Sequence, residues 1–271
     1  MNLTSPAQVK AWCAEHDFHP NRTLGQNFLI DRNVLEAIAD AAFEGLGDPA
    51  GLRVLEVGPG LGALTGALLA RGAAVVAVEK DPVLAGRLAE ALGSPPGLRV
   101  VAGDALAFVE RGCRGEDFGL MASNLPYQCG TRILLELVKA RRVPSMTVLV
   151  QTEVAARLAA REGSKTRGLA GVWAQLDYDV KILRRVAPTC FWPRPAVGSS
   201  VVRLDRHSRN DSLGDAGRRI FREITKRAFA QRRKQLGNSL KDLVKSTARA
   251  EDLSNEDWIE LTKGLMENED S

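Results

Sequence analysis

The sequence predicts an α/β fold, a parallel sheet with helices on both faces, followed by a smaller all-helical domain. Three observations lead there. Short apolar runs alternate with helical patterns from Arg53 to Val150, the rhythm of strand–helix–strand units. A glycine turn, Gly58-Pro59-Gly60-Leu61-Gly62, directly follows the first of those strands. Beyond residue 206 the chain turns basic while its apolar residues keep a helical period. The expected domains are residues 1–206 and 207–271.

With 271 residues, 45% hydrophobic and 26% charged, the composition is that of a soluble globular protein with ample core. The net charge of +4 permits a nucleic-acid partner without requiring one. Cys13, Cys113, Cys129 and Cys190 are scattered, and His16, His19 and His207 do not join them in a zinc spacing. Free thiols in a reducing compartment and no metal are expected. No signal pattern opens the chain, and no run approaches the ~20 apolar residues of a membrane span. A cytoplasmic protein without a membrane partner follows.

Ser5, Pro6 and Gln8 predict a capped helix to about Asp17, with Ser5 and Gln8 as a capping box. Gln26-Asn27-Phe28-Leu29 has no clean period and reads as a linker whose Phe plugs the core. Asp31 caps a helix whose apolar face is Val34, Leu35, Ile38, Ala41 and Ala42.

Arg53–Val57 is the first strand, and Ala73–Val78 the second, ending at Glu79. Glu79 lies 21 positions after Gly58, the distance at which an acid takes a ribose. The G-x-G-x-G spacing differs from that of dinucleotide enzymes and leaves no third glycine for tight helix packing. A nucleoside-like cofactor is the expectation. A third strand, Leu98–Ala102, ends at Asp104, which can cap the next helix or bind an adenine amine. The fourth, Phe118–Ser123, runs into Asn124-Leu125-Pro126-Tyr127. That loop is either a plain turn or a ligand loop at a strand's carboxyl end.

Helix Thr131–Arg141 and strand Met146–Val150 follow, then strands Tyr178–Val186 and Ser199–Leu204. Phe191-Trp192-Pro193-Arg194-Pro195 between those two is a rigid surface turn or an aromatic platform. From Arg206 to Arg249 thirteen basic residues face four acids, a local excess of nine. This exceeds the excess of the whole chain, so charge is segregated and a nucleic-acid phosphate track is expected. Leu236, Leu240, Leu243 and Val244 continue the helical period, and the stretch from Glu251 is an acidic helix.

Taken together these segments resemble the KsgA-type small-subunit ribosomal RNA adenine dimethyltransferases. The resemblance rests on Gly25–Leu29, Leu55–Gly62, Val78–Asp81, Gly103–Leu106, Asn124–Tyr127, Gln151–Leu158, Phe191–Pro195 and Ala228–Lys234. It implies a Rossmann-like class I methyltransferase sheet and S-adenosylmethionine as cofactor, held by Asn27, Leu29, Gly58, Gly60, Glu79, Asp104 and Asn124. The implied substrate is a pair of adjacent adenosines near the 3′ end of small-subunit (16S) rRNA, in an assembling subunit, each dimethylated at N6 by a monomeric enzyme. Asn124 Oδ1 and the Leu125 carbonyl would accept the amine hydrogens, and Tyr127 and Phe191 would sandwich the base. Arg232, Arg233 and Lys234 would hold RNA. Two positions depart from the family. Arg167 and Leu169 flank Gly168 where a Tyr is usual, and Ala196 stands where a Lys is usual; both positions lie near the expected RNA path. The competing readings are a non-catalytic ribosome-assembly factor, a large-subunit rRNA methyltransferase of the macrolide-resistance type and a DNA adenine methyltransferase.

Overall fold

The computed structural model describes residues 2–240, 243 and 246–269. Lys241, Asp242, Val244 and Lys245, which enter the basic and helical patterns above, lie outside the described residues. The chain divides into two compact units, one of Met1–Ala155 with Lys181–Asp205, the other of Ala156–Val180 with Arg206–Ser271. The second unit takes up Ala156–Val180 as well as the residues from Arg206. The reason is packing: Val172 and Leu176 share a core with Phe221, Ile224 and Trp258, and a helical period does not say which core it faces.

In chain order the strands are β1 (Phe28–Leu29), β2 (Arg53–Val57), β3 (Ala74–Glu79), β4 (Leu98–Ala102), β5 (Leu120–Asn124), β6 (Ser145–Gln151), β7 (Tyr178–Val186), β8 (Phe191–Trp192) and β9 (Ser199–Arg206). The helices are α1 (Pro6–Glu15), α2 (Arg32–Phe43), α3 (Ala63–Ala70), α4 (Pro82–Ala91), α5 (Ala105–Glu110), α6 (Gly130–Ala140), α7 (Thr152–Leu158), α8 (Leu169–Asp177), α9 (Gly214–Ala230), α10 (Leu236–Ser239) and α11 (Asn255–Glu269).

The main sheet has the order β4-β3-β2-β5-β6-β9-β7. Strands β2 to β6 run parallel, whereas β9 is antiparallel to β6. The sheet is therefore mixed, not all parallel; the chain returns from β7 through a short connection without the helical crossover a parallel neighbour needs. Val54, Leu120, Ala122 and Leu149 of the parallel strands are buried against Ile38 and Leu68 of the flanking helices. Asp31 caps α2, accepting from the Val34 N–H at 3.0 Å. The capping box of α1 does not form: Ser5 makes no side-chain cap bond, and Gln8 Oε1 accepts the Asn2 N–H at 2.6 Å.

The direction of the connections reverses between β2 and β5, since β3 and β4 lie to one side and β6 to the other. Such a switch point opens a crevice at the strands' carboxyl ends. The ladder shows it directly. β2 pairs with β5 only at Val54–Leu120 and Leu55–Met121, after which the two strands part. Beyond the split the Ser123 hydroxyl accepts the Val57 N–H at 2.8 Å, replacing the ladder bond that the divergence removes.

Candidate active site

A cavity fills that crevice, lined by the glycine turn, by the carboxyl ends of β2, β3 and β5, by the start of α5, and by Thr23–Leu29. The turn approaches its neighbours closely. Gly58 (φ +65°) sits where a Cβ would lie 3.5 Å from Pro126 Cδ. Gly62 (φ +91°) leaves only 2.6 Å between such a Cβ and Leu88 Cδ1. Gly62 is thus the close-packing glycine that the spacing did not announce, and it serves the contact with α4.

Three carboxyl groups line the wall, each in different surroundings. Glu56 on β2 is 1% exposed, and burial pushes its carboxyl up to about 8. Its Oε2 makes no hydrogen bond; the Thr65 hydroxyl lies beside the carboxyl and pulls the other way, too weakly to offset desolvation. Glu79 is 6% exposed and accepts the Gly60 N–H at 3.1 Å and the Asp81 N–H at 2.9 Å. Burial raises its pKa against those two bonds. Asp104 is open to solvent. It caps α5 through the Leu106 N–H at 2.8 Å and pairs with Lys80 Nζ at 2.8 Å, and the Lys80 contact holds its carboxyl below the usual range.

Asn124 closes the opposite wall. Its Nδ2 donates to the Asn27 carbonyl at 3.0 Å, and since a carbonyl only accepts, this bond fixes which way the amide points. Oδ1 is left as the acceptor. Leu125 is held by its N–H on the Leu149 carbonyl at 3.1 Å. Tyr127 has its hydroxyl tied to Ser199 Oγ, which sets the ring's position, and burial raises its pKa so that it stays protonated.

A family model described as ribosomal RNA adenine dimethylase matches residues 17–263. The chain belongs to that family. A curated relative from Deinococcus radiodurans, ribosomal RNA small subunit methyltransferase A, is 42% identical over 88% of this chain and 78% of its own length. A protein of the same name from Brucella canis is 38% identical over 98% of this chain and all of its own. Among solved structures, a dimethyladenosine transferase from Plasmodium falciparum superposes with a TM-score of 0.75 at 20% identity, over 88% of this chain and 97% of that one. The 23S rRNA methyltransferase ErmE gives 0.68 at 25% identity, over 89% and 100%. The fold is that of a class I methyltransferase.

The ribosomal RNA adenine dimethylase motifs converge on one place. Asn27, Leu29, Gly58, Gly60, Glu79, Asp104, Asn124, Leu125 and Tyr127 all line the cavity. The Gln26–Leu29 segment is therefore a wall of the site rather than a linker, although Phe28 does plug a core with Trp12 and Phe18. Phe191 stands apart. It is 3% exposed, packs in the core with Leu29 and pairs with Leu29 across β1 and β8, so it backs the cavity wall instead of forming it.

The chemistry of the lining fits S-adenosylmethionine. Left-handed glycines bare backbone to a nucleoside, Glu79 keeps acceptor lone pairs for hydroxyls, and Glu56, whose Oε2 has no partner, is a buried carboxyl that an ammonium group beside it would draw back to the ionised form. Glu56 and Ser123 escaped the sequence reading. Within the strands they look like one more inward position, and only burial reveals them.

The basic run of the second unit is less free than its composition suggests. Arg218 is 2% exposed and paired with the buried Asp177 at 2.7 Å. Arg209 pairs with Asp179 at 2.6 Å. Arg232 binds Glu251 at 2.8 Å and the Lys165 carbonyl. Arg233 and Lys234 are exposed beyond the end of α9. Arg167, expected near the RNA path, is 1% exposed and donates to the Ala160 carbonyl and, at 2.8 Å, to Asn255 Oδ1. It is a structural residue of the second unit.

Proposed function

We propose that this chain dimethylates the N6 amines of two adjacent adenosines near the 3′ end of small-subunit rRNA during subunit assembly, acting as a monomer in the cytoplasm. The orientation of Asn124 carries the reading: its Nδ2 is spent on the Asn27 carbonyl, so Oδ1 is presented to a donor. Glu79 would hold the cofactor's ribose, Asp104 its adenine, and Asn27, Leu29, Gly58, Gly60 and Asn124 the remainder. When bound, S-adenosylmethionine supplies an electrophilic methyl group on a sulfonium.

The residues of the chain solve the other half of the problem. The adenine amine is a poor nucleophile because its lone pair is delocalised into the ring. Asn124 Oδ1 and the Leu125 carbonyl accept hydrogen bonds from its N–H groups, which turns the lone pair toward the cofactor side and stabilises charge developing on nitrogen. As the N–C bond forms the nitrogen becomes acidic and one N–H proton passes to solvent. Tyr127, tethered by its hydroxyl, stacks on one face of a base swung out of its helix. Phe191 is assigned the other face, which requires its ring to leave the core when the base enters. Arg233 and Lys234 contact RNA phosphates; Arg232 is assigned to holding the loop at Lys165 in place for them.

Mass analysis of small-subunit rRNA incubated with protein and cofactor tests the reading. Wild type adds two methyl groups to each of two adenosines. Asn124→Ala lowers transfer by roughly 10³-fold or more, far beyond its effect on cofactor affinity, which falls by about tenfold or less because Glu79, Asp104 and the glycine turn still hold the cofactor. Dimethylation by that variant at the wild-type rate would sink the assignment. The macrolide-resistance reading has the ErmE fold on its side. It predicts methylation of large-subunit rRNA in the same assay.

A further inference from the structure

We propose that the exposed stretch Lys181–Arg185 of β7, together with Arg194, is a second rRNA-binding surface, borne by the first unit. The inference rests on rRNA being the substrate. β7 is an edge strand of the main sheet, and its residues Lys181, Ile182, Leu183, Arg184 and Arg185 are all exposed in succession. Between Asp179 and Asp205 the chain holds five cations and no acid. Arg203 is ion-paired with Asp205 at 2.8 Å, whereas among the described residues Lys181, Arg184, Arg185 and Arg194 enter no ion pair. Elsewhere in this unit Arg53, Arg71, Lys80, Arg99, Arg132 and Arg142 are matched with carboxylates. Lys10, Arg87, Arg111 and Arg114 are exposed without an ion pair among the described residues, but they lie on helices and a turn, and no other strand of the unit carries three cations.

Cations on an edge strand also guard against pairing with another chain. That reading leaves the apolar residues unexplained. Ile182, Leu183 and Val197, 44%, 40% and 47% exposed, are three of the five large apolar side chains exposed among the described residues. A guarded edge hides such residues. Unpaired cations interleaved with aliphatic side chains match a folded RNA, which offers phosphates together with sugar and base faces. Lys181 and Arg185 share one face of the strand about 13 Å apart, a span of about two phosphates along an RNA strand. The strand also leads directly to the site, because the chain passes from Val186 through Pro188–Cys190 to Phe191, whose partner Leu29 lines the cavity.

The test uses the full chain with the three strand cations neutralised, Lys181→Gln, Arg184→Gln and Arg185→Gln. Binding to a small-subunit rRNA fragment carrying the target loop is measured across salt concentrations. At ~0.1 M salt the affinity falls about 10- to 100-fold, and the slope of log affinity on log salt becomes shallower by about 2. S-adenosylmethionine affinity stays at the wild-type value and shows that the first unit is folded. An unchanged salt slope overturns the proposal. So does a photo-crosslinker at Leu183 that captures a ribosomal protein in place of rRNA. If wild type itself methylates no rRNA, the functional reading has failed; if wild type methylates and the triple variant binds as well, only the β7 surface has failed.

Discussion

Glu79 and Asp104 end neighbouring parallel strands and line the same cavity, yet their surroundings are opposite. Glu79 ends β3 in the interior, 6% exposed, with both carboxylate oxygens on backbone N–H groups of the Gly60 turn and Asp81. Asp104 follows β4, the outermost parallel strand, where solvent reaches it and Lys80 neutralises it. Burial moves one carboxyl up and an ion pair moves the other down. A carboxylate at the inner end of the crevice is therefore part of the backbone scaffold, while one at the outer end is a separable contact. Glu56, one strand further in, takes the inner condition to its limit, with an oxygen that has no partner at all.

The largest effect expected of this gradient is at Glu56. An acid whose folded pKa is about 8 against an ordinary 4.5 binds its proton more tightly in the folded state. Its contribution to stability is full below pH ~4.5 and is lost as pH rises to ~8, at roughly 1.4 kcal/mol per pH unit over that window. The whole loss is on the order of 3–5 kcal/mol. Glu56→Gln keeps the shape and cannot ionise. Thermal melts of the cofactor-free protein from pH 5 to 8 should fall on the order of 10 °C for wild type and clearly less for the variant. Parallel curves for the two proteins would remove Glu56 from the inner end of the comparison.

Next comes Glu79→Ala, which strips acceptors from two N–H groups and, on the proposed assignment, from the ribose together. Calorimetric titration should show S-adenosylmethionine affinity down by about 100-fold or more. Asp104→Ala should cost about tenfold, because its cap and the proposed adenine contact are both at the solvent-exposed end. Equal losses at the two sites would erase the difference between inner and outer carboxylates.

The same gradient explains what the sequence made legible. Strand ends, the glycine turn, the acid 21 positions on and the Asn124 loop are local signals, and each lines the crevice. Glu56 is not legible in the sequence because a charged residue inside an apolar strand shows no sign of its depth until the helices close over it. The direction of β9 and the allegiance of Ala156–Val180 are likewise decided by tertiary partners, which periodicity does not name. Arg218 and Arg232 counted as surface charge until their buried and half-buried acids appeared. Composition counts charges; only packing says which are already spent.

The smallest effect is also the sharpest probe of the outer end. Asp104 serves as helix cap, partner of Lys80 and candidate acceptor for an adenine amine, and only the second of these needs its charge. Asp104→Asn keeps an oxygen for the Leu106 N–H, since Asn caps helices about as well as Asp, and keeps an acceptor for the amine. It gives up the Lys80 pair, which is exposed and weakened by salt. Cofactor affinity of Asp104→Asn should therefore stay within about threefold of wild type while Asp104→Ala loses about tenfold. The sign of the pH dependence follows from the lowered pKa. The ion pair is present above the ordinary carboxylate range and disappears as pH falls through the folded value, so any wild-type advantage over Asp104→Asn should vanish in acid. An Asn variant as weak as the Ala variant would mean that the site uses the charge itself, and Asp104 would then belong with Glu79 rather than opposite it.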